Sequence, residues 1–160
     1  MAIRNIMNYK NDDILHKKSR AIEEIDNRVI SLLEDMTETM YQANGAGLAA
    51  VQVGILKRIV VIDIGEGLIK LINPVIAEAY GEQQETEGCL SIPAIYGTVK
   101  RPQRVVVSAL NEKGEPIKLQ GSGMLARAFC HEIDHLDGIL FIDKVIPDSL
   151  INYNNSNERM

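Results

Sequence analysis

The sequence has few cysteines, no cluster of positive charge and no long apolar run, which argues against disulfide-rich, nucleic-acid-binding and membrane-spanning proteins. It has 160 residues, no tryptophan, two cysteines and three histidines, and its formal net charge is −5. Lysines and arginines are scattered rather than clustered, so we expect neither a nucleic-acid site nor an anionic membrane as the main partner. No apolar run is long enough to span a bilayer. The function therefore has to be sought in a few local patterns.

The two cysteines, Cys89 and Cys130, could form one disulfide. The first residues, however, lead into polar sequence and lack the apolar core of a signal peptide. We therefore expect a cytoplasmic protein. In that reducing compartment a cysteine is more often a metal ligand or a buried thiol than half of a disulfide.

Hydrophobic residues make up 46% of the chain, which is enough for a proper core, and no repeat or linker interrupts it. We therefore predict a single domain over residues 1–160. Asp26 is a candidate N-cap for a helix that Asn44-Gly45 would end. Residues 58–64 predict a buried strand, and a turn leads from it into a run over residues 68–72 that ends at Pro74.

The second half of the chain predicts a hairpin and a late helix. Residues 105–110 and 117–119 flank a turn and favour paired strands. Ser122 is a candidate cap for a helix that runs to about Leu136 and is closed by Asp137-Gly138. A short last helix is predicted from Asp148, followed by a polar, fraying end. Together these elements predict an α+β fold, with antiparallel β-sheets packed around a central metal-binding helix.

That helix contains the pattern His131-Glu132-Ile133-Asp134-His135. Residues four apart lie on one face of a helix, so His131 and His135 can bind one metal ion. Glu132 is offset by one position and can reach a water molecule on that metal. This arrangement is typical of metal-assisted hydrolysis. An exposed helix that merely carries these residues is the alternative.

A catalytic site of this kind usually has a third protein ligand. His16 lies in a polar stretch, Phe141 stands where a longer metallopeptidase pattern has histidine, and Glu158 lies in the polar tail. Cys89, in the run Glu87-Gly88-Cys89-Leu90-Ser91, is better placed, because a thiolate is a strong ligand for a borderline-soft metal. A small buried hydrophobic residue is the alternative interpretation of Cys89.

A glycine-rich segment from Gly45 to Gln52 is the remaining pattern. Its small residues would let the backbone approach a ligand closely, and Gln52 supplies an amide that could face a developing oxyanion. The same run could equally be a tightly packed turn between a helix and a strand.

Taken together, three segments resemble the signature motifs of the peptide deformylases. They are Gly45-Ala46-Gly47-Leu48-Ala49-Ala50-Val51-Gln52, Glu87-Gly88-Cys89-Leu90-Ser91 and His131-Glu132-Ile133-Asp134-His135. Their order and separation also fit that family, and the match covers most of the chain. Three motifs in order are far more specific than one H-E-x-x-H pattern.

The resemblance implies a cytoplasmic hydrolase that removes the N-formyl group from the initiator methionine of nascent polypeptides. It implies an α+β catalytic domain and one divalent metal, Fe(II) in many members, with Zn(II), Ni(II) and Co(II) as alternatives. Cys89, His131 and His135 would be the ligands and Glu132 the general base. Gln52 and the backbone N–H of Leu90 would hold the oxyanion. It also implies that Glu87 pairs with Arg101, which without the resemblance would be taken for a surface pair.

Helix geometry adds candidates for substrate binding. Met124 and Ala128 share the face of the metal ligands, where a methionine side chain would dock, although ordinary core packing fits them equally well. Arg127 borders that face and is a candidate contact for the substrate backbone. The small segment Gly45-Ala46-Gly47 would line the same pocket, and Ala46, which replaces a larger aliphatic residue, could widen it. Asp134 is a candidate partner for a ligand histidine, although a solvated aspartate is nearly as good an interpretation of it.

Two rival functions stay open at this point. One is an H-E-x-x-H peptidase that cuts internal peptide bonds, and the other is a deformylase-like protein that binds nascent chains or metal without turnover. The ribosome is a candidate partner, although the tail carries a single basic residue, Arg159, and no obvious docking patch.

Overall fold

The computed structural model describes residues 2–153 of the chain. In this part there are two α-helices, α1 (Asn27–Gln42) and α2 (Met124–Leu136). Short 3₁₀ helices lie at Asp13–His16, Ala50–Val53 and Phe141–Asp143. The strands are β1 (Gly47–Ala49), β2 (Ile59–Ile62), β3 (Ile69–Tyr80), β4 (Gln83–Cys89), β5 (Ile92–Arg101), β6 (Arg104–Leu110), β7 (Pro116–Ser122) and β8 (Ile151–Asn152). Over residues 2–153, no helix has the length and apolar character needed to cross a membrane.

The strands form two antiparallel sheets. The larger has the order β1-β2-β3-β6-β7 and the smaller has the order β4-β5-β8. Helix α2 contacts strands of both sheets, whereas α1 packs against β1 and β2. This arrangement is the predicted α+β class with antiparallel sheets, and it brings the motif helix next to the strands that carry the other two motifs.

The buried apolar residues form two clusters, one on each side of the larger sheet's first strands. The cluster under α1 contains Leu33, Met36 and Met40 with residues of β2. The cluster around α2 contains Phe129, Leu136 and Phe141. Alternation along β2 explains the division, because successive side chains of a strand point to opposite faces. Helix α2 is thus held by packed, fully buried side chains, which gives its ligand-bearing face a fixed orientation.

Several sequence predictions are confirmed. The side chain of Asp26 accepts hydrogen bonds from the N–H groups of Arg28 and Val29, both at 3.1 Å, and so caps α1. Strands β6 and β7 form the predicted hairpin. Helix α2 ends at Leu136.

Other predictions were wrong. Strand β3 does not end at Pro74 but continues to Tyr80, because a register shift between Ile72 and Val75 removes the need for a proline N–H in the ladder. Ser122 does not cap α2; the N-cap is Gly123, whose φ of +59° suits glycine, and Ser122 belongs to β7. No helix starts at Asp148. Its φ is +68°, and the chain then pairs with β5 as β8. The predicted fraying end lies mostly outside the described residues.

Candidate metal centre

Three potential ligand side chains meet where β4 ends against α2. Cys89 is the last residue of β4, and His131 and His135 lie one turn apart on α2. Their ligand atoms all lie within 4.8 Å of one another, and Cys89 Sγ is 3.3 Å from His135 Nε2. One thiol and two imidazoles form a donor set that suits a borderline-soft divalent cation such as zinc or iron. The residues present therefore fit a metal.

The other residues weighed as a third ligand lie elsewhere. His16 is exposed in the first 3₁₀ helix. Phe141 is buried, and its ring stacks on His131 with the centroids 6.0 Å apart, so it packs beside the cluster without offering a donor. Glu158 lies outside the described residues.

The sharp connection between β4 and β5 brings Cys89 to the helix. Cys89 pairs with Ile92 after a register shift, so the chain reverses within Leu90 and Ser91. Gly88 leaves room for the ring of Tyr96 beside this turn, because a Cβ there would lie 2.6 Å from that ring unless it shifted. The strand pair itself was missed in the sequence, since β4 is largely polar and exposed and lacks a clear apolar alternation.

Glu87 is the centre of a buried ionic network behind the cluster. Its carboxylate accepts two hydrogen bonds at 2.9 Å from Arg101, another from Arg127, and lies 2.8 Å from His131 Nδ1. Burial alone would raise the pKa of Glu87, but the bonds from Arg101 and His131 outweigh it and lower the pKa to about 2. The pairing of Glu87 with Arg101 is confirmed. The surface interpretation of that pair was wrong, because both side chains are 3% exposed.

Asp134 does not bond a ligand histidine, contrary to the sequence prediction. Its Oδ2 pairs with Arg101 Nη1 at 2.6 Å and with Lys144 Nζ at 3.1 Å. His131 already has Glu87 on its Nδ1, so Asp134 is left to hold the far side of the Arg101 guanidinium. The network thus runs from the surface through Arg101 and Glu87 to His131, which restricts the orientation of that ring.

We expect Arg101→Met to destabilise the fold by about 3–5 kcal/mol, the usual cost of leaving a buried ion without its partner. Glu87 would keep Arg127 and His131, so the loss should fall near the lower figure. Urea denaturation of the wild type and the variant measures the difference, and Lys100→Met, an exposed neighbour on β5, is the matched control. Equal unfolding free energies for Arg101→Met and the control would contradict the network's role.

Glu132 lies beside the cluster rather than in it. Its Oε2 is 3.9 Å from His131 Nε2, and its Oε1 is buried without a hydrogen-bond partner among the described residues. Burial raises the pKa of Glu132 to about 7. Gly47 leaves room for this carboxylate, because a Cβ at Gly47 would lie 2.5 Å from Glu132 Oε2. A carboxyl group with a pKa near neutrality is suited to accepting and returning a proton.

The charges around the two histidines differ. Burial lowers the pKa of His135, so this imidazole stays neutral with a lone pair to offer. Burial also opposes the charged form of His131, but the negative charge of Glu132 and the contacts with Cys89 and Glu87 outweigh it and raise its pKa. The surroundings of His131 therefore favour a positive charge at this point.

Gln52 reaches the cluster from the 3₁₀ helix that follows β1. It is buried, its Oε1 accepts a bond from the N–H of Ala49, and its Nε2 donates to Ser91 Oγ at 3.1 Å and Cys89 Sγ at 3.4 Å. The Ala49 contact fixes which end of the amide faces the cluster. The side chain of Leu90 packs against Gly45, where an added Cβ would lie 2.6 Å from Leu90 Cδ1. The turn between β4 and β5 therefore contacts the segment between α1 and β1.

A cavity of about 500 Å³ opens onto this centre. Its lining includes Gln52, Cys89, Leu90, His131 and Glu132, together with the predicted substrate residues Gly45, Ala46, Gly47, Met124, Arg127 and Ala128. His135 lies behind them and is 1% exposed. Ile64 and Tyr96 also line the cavity and were missed in the sequence, since neither belongs to a motif or shares a helical face with one.

The predicted substrate residues differ in their surroundings. Met124 is 63% exposed and lies at the rim. Ala128 packs against the core and also lines the cavity. Arg127 is buried, and its guanidinium donates to Glu87, to the Val99 carbonyl at 3.2 Å and to Gln83 at 3.1 Å.

Comparison with known proteins gives consistent matches. The profile of the polypeptide deformylase family matches residues 3–150. The peptide deformylase of Acetivibrio thermocellus is 62% identical over 146 residues, covering 91% of this chain and 85% of that protein. Peptide deformylase 1 of Clostridium acetobutylicum is 58% identical, covering 91% of this chain and 96% of that protein. The crystal structure of peptide deformylase from Thermotoga maritima superposes with a TM-score of 0.89 at 38% identity, over 92% of this chain and all of that one (100%).

Proposed function

The chain belongs to the polypeptide deformylase family, enzymes that remove the N-formyl group from nascent polypeptides, and we propose that Cys89, His131, His135 and Glu132 carry out this hydrolysis here. The observation that carries the assignment is the meeting of three ligand atoms within 4.8 Å of one another, next to a buried carboxylate and at the end of an open cavity. The enzymes of this family depend on a metal, and the donor set of Cys89, His131 and His135 is suited to binding one.

Fe(II) is the proposed cellular metal, bound by Cys89 Sγ and by Nε2 of His131 and His135. Zn(II), Ni(II) and Co(II) suit the same donors. When bound, a divalent cation would supply Lewis acidity toward water and the formyl carbonyl. Glu87 supports this assignment, because its bond to His131 Nδ1 leaves Nε2 of that ring to face Cys89 and His135.

Glu132 is the proposed general base and then the general acid. It would take a proton from the attacking water, and the water oxygen would bond to the formyl carbon. When the C–N bond breaks, the leaving amine takes that proton from Glu132, and the formic acid released loses its remaining proton to solvent as formate. Two observations support this role: Oε1 has no hydrogen-bond partner within residues 2–153, and the pKa of the carboxyl group is raised, so the group can hold and release a proton.

Gln52 Nε2 and the backbone N–H of Leu90 are the proposed donors to the oxyanion. The Gln52 amide is held with its nitrogen toward Cys89, as this role requires. Loss of one such donor typically costs about 2.7–4 kcal/mol of transition-state stabilisation.

The cavity supports a binding site for the first residue of the substrate. Met124, Ala46 and Ala128 would surround a methionine side chain, and the backbone of Gly45 and Gly47 would approach the peptide closely. Arg127 is proposed to support the wall of this pocket, because its Nη1 donates to Glu87 and its Nη2 donates to Gln83.

Ala128→Leu should depress kcat/KM for formyl-Met peptides more than for formyl-Ala peptides, because the added carbons would fill space that only the longer side chain needs. Each buried CH₂ is worth about 0.8 kcal/mol, so a several-fold change in the ratio is expected. Formyl-norleucine should track formyl-Met in both proteins, since thioether and methylene are similar in size. Equal slowing of the formyl-Met and formyl-Ala substrates would make Ala128 a core residue only.

Release of formate from formyl-Met-Ala-Ser, measured with metal-replete protein under argon, tests the proposed function. A peptidase would instead cut the internal bonds of this peptide, and a binding protein would release nothing. Nascent N-formylated polypeptides are the substrate class of the family. We further propose that residues 1–160 form a single catalytic domain and that the protein is cytoplasmic. The ribosome, which presents such chains, is a proposed partner.

A further inference from the structure

Residues 2–9 form no helix or strand, yet they contact both segments that carry the proposed oxyanion donors, the 3₁₀ helix Ala50–Val53 and the turn between β4 and β5. The N–H of Met7 donates to the carbonyl of Gln52 at 2.7 Å, and the N–H of Tyr9 donates to the carbonyl of Ser91 at 3.0 Å. Gln52 is one proposed donor, and Ser91 directly follows Leu90, which is the other. One short stretch of backbone therefore spans the two sides of the proposed oxyanion site.

The start of this segment is fixed to α1. Arg4 Nε lies 2.9 Å from Asp35 Oδ2, and the N–H of Ala2 donates to Asp35 Oδ1 at 2.7 Å. The N–H of Arg4 donates to Thr39 Oγ1 at 2.9 Å. The segment is thus held by polar contacts at one end and by the 3₁₀ helix and the turn at the other.

Asp35 and Thr39 are buried polar residues of α1 whose side chains bond residues 2–4. They are 7% and 2% exposed on a helix whose other buried residues are apolar, and neither lines the cavity. A buried carboxylate is costly unless it is paired and hydrogen-bonded. Burial would raise the pKa of Asp35, but the bonds from Ala2 and Arg4 outweigh it and lower the pKa. The side chain is therefore used as an anchor.

We propose that residues 2–9 are a brace that sets the spacing of Gln52 and Leu90, and that Asp35 is a positioning residue that acts through Arg4 and this brace. The inference rests on the proposed function, because the spacing matters to the reaction only if these two groups hold the oxyanion. Asp35 does not line the cavity and is not one of the three clustered ligands, so in this proposal its effect passes through Met7 and Tyr9.

The test compares Asp35→Ala with Arg4→Met, which removes the same ion pair from the other side. Each variant should lower kcat about five- to tenfold, the effect of weakening one hydrogen bond by its typical net worth. The KM for formyl-Met-Ala-Ser and the metal content should stay at wild-type values, and amide hydrogen exchange at Met7 and Tyr9 should become faster. Glu34→Ala, an exposed acidic neighbour on α1, should change none of these.

The double variant of Arg4 and Asp35 decides between a brace and a local defect. If both residues act through one brace, the double variant should lose no more kcat than either single variant. Multiplied losses would overturn the proposal, and so would a lowered melting temperature with unchanged kcat in folded protein. A wild-type protein that releases no formate would overturn the proposed function and this inference together, whereas an active wild type with unaffected variants would overturn the brace alone.

Discussion

Glu132→Ala should keep about one metal ion per chain and lose most of its kcat, by roughly 10²–10⁴-fold, the usual contribution of general acid–base catalysis. Metal binding should survive because Glu132 is not among the three clustered ligands. Its Oε1 has no partner among the described residues, so its removal breaks no hydrogen bond of that atom. Metal analysis and formate release measure the two effects separately.

Stability offers an internal check on the Glu132 variant. Burial raises the pKa of this carboxyl group to about 7. Burying its charged form therefore lowers the free energy of unfolding. The alanine variant should therefore unfold at the same temperature as the wild type or higher, and Glu66→Ala, at an exposed turn, is the control for removal of a carboxylate. Loss of metal from Glu132→Ala would make Glu132 a ligand and contradict its assignment as the base.

The parts of the centre that are local in sequence could be predicted. His131, Glu132 and His135 lie within one helix, and the geometry of a helix alone fixes which of them share a face. The cap at Asp26 and the hairpin of β6 and β7 are likewise set by neighbouring residues. Cys89 was placed from the chemistry of its thiolate, and the structure brings its sulfur next to His135.

The wrong predictions concern residues whose positions depend on contacts with residues distant in sequence. Pro74 lies inside β3, because a register shift that no local pattern shows lets the strand continue. Asp134 looked available to a ligand histidine, but Arg101 on β5 takes it. The burial of Glu87 depends on Arg101 and Arg127, which lie 14 and 40 residues away in sequence. A charged residue surrounded by distant partners cannot be told from a surface residue by sequence alone.

The lining of the proposed substrate cavity could be predicted only in part. Met124 and Ala128 were found from their helical face, and both line it. Ile64 and Tyr96 come from a loop and from β5, so only the tertiary fold brings them to the same opening. Periodicity identifies one wall of a cavity, whereas the opposite walls depend on how the elements pack.

Substitution of Cys89 should produce the clearest spectroscopic change. Co(II)-substituted wild-type protein should show a sulfur-to-metal charge-transfer band near the ultraviolet, because Cys89 Sγ lies within 4.8 Å of the two imidazole ligand atoms. Cys89→Ser should lose this band. It should also bind metal at least about 100-fold more weakly, more than the loss usually caused by changes outside the ligand shell.

Cys130 provides the matched control, because it is the other cysteine and directly precedes His131. Its side chain is directed about 100° around the helix from that of His131. Cys130 lines a separate cavity of about 240 Å³ with Ile133 and Asp134, and burial raises the pKa of its thiol. Cys130→Ser should therefore leave the cobalt band and the metal content intact. A band that persisted in Cys89→Ser and vanished in Cys130→Ser would move the sulfur ligand to Cys130, and with it the position of the metal relative to Glu132 and Gln52.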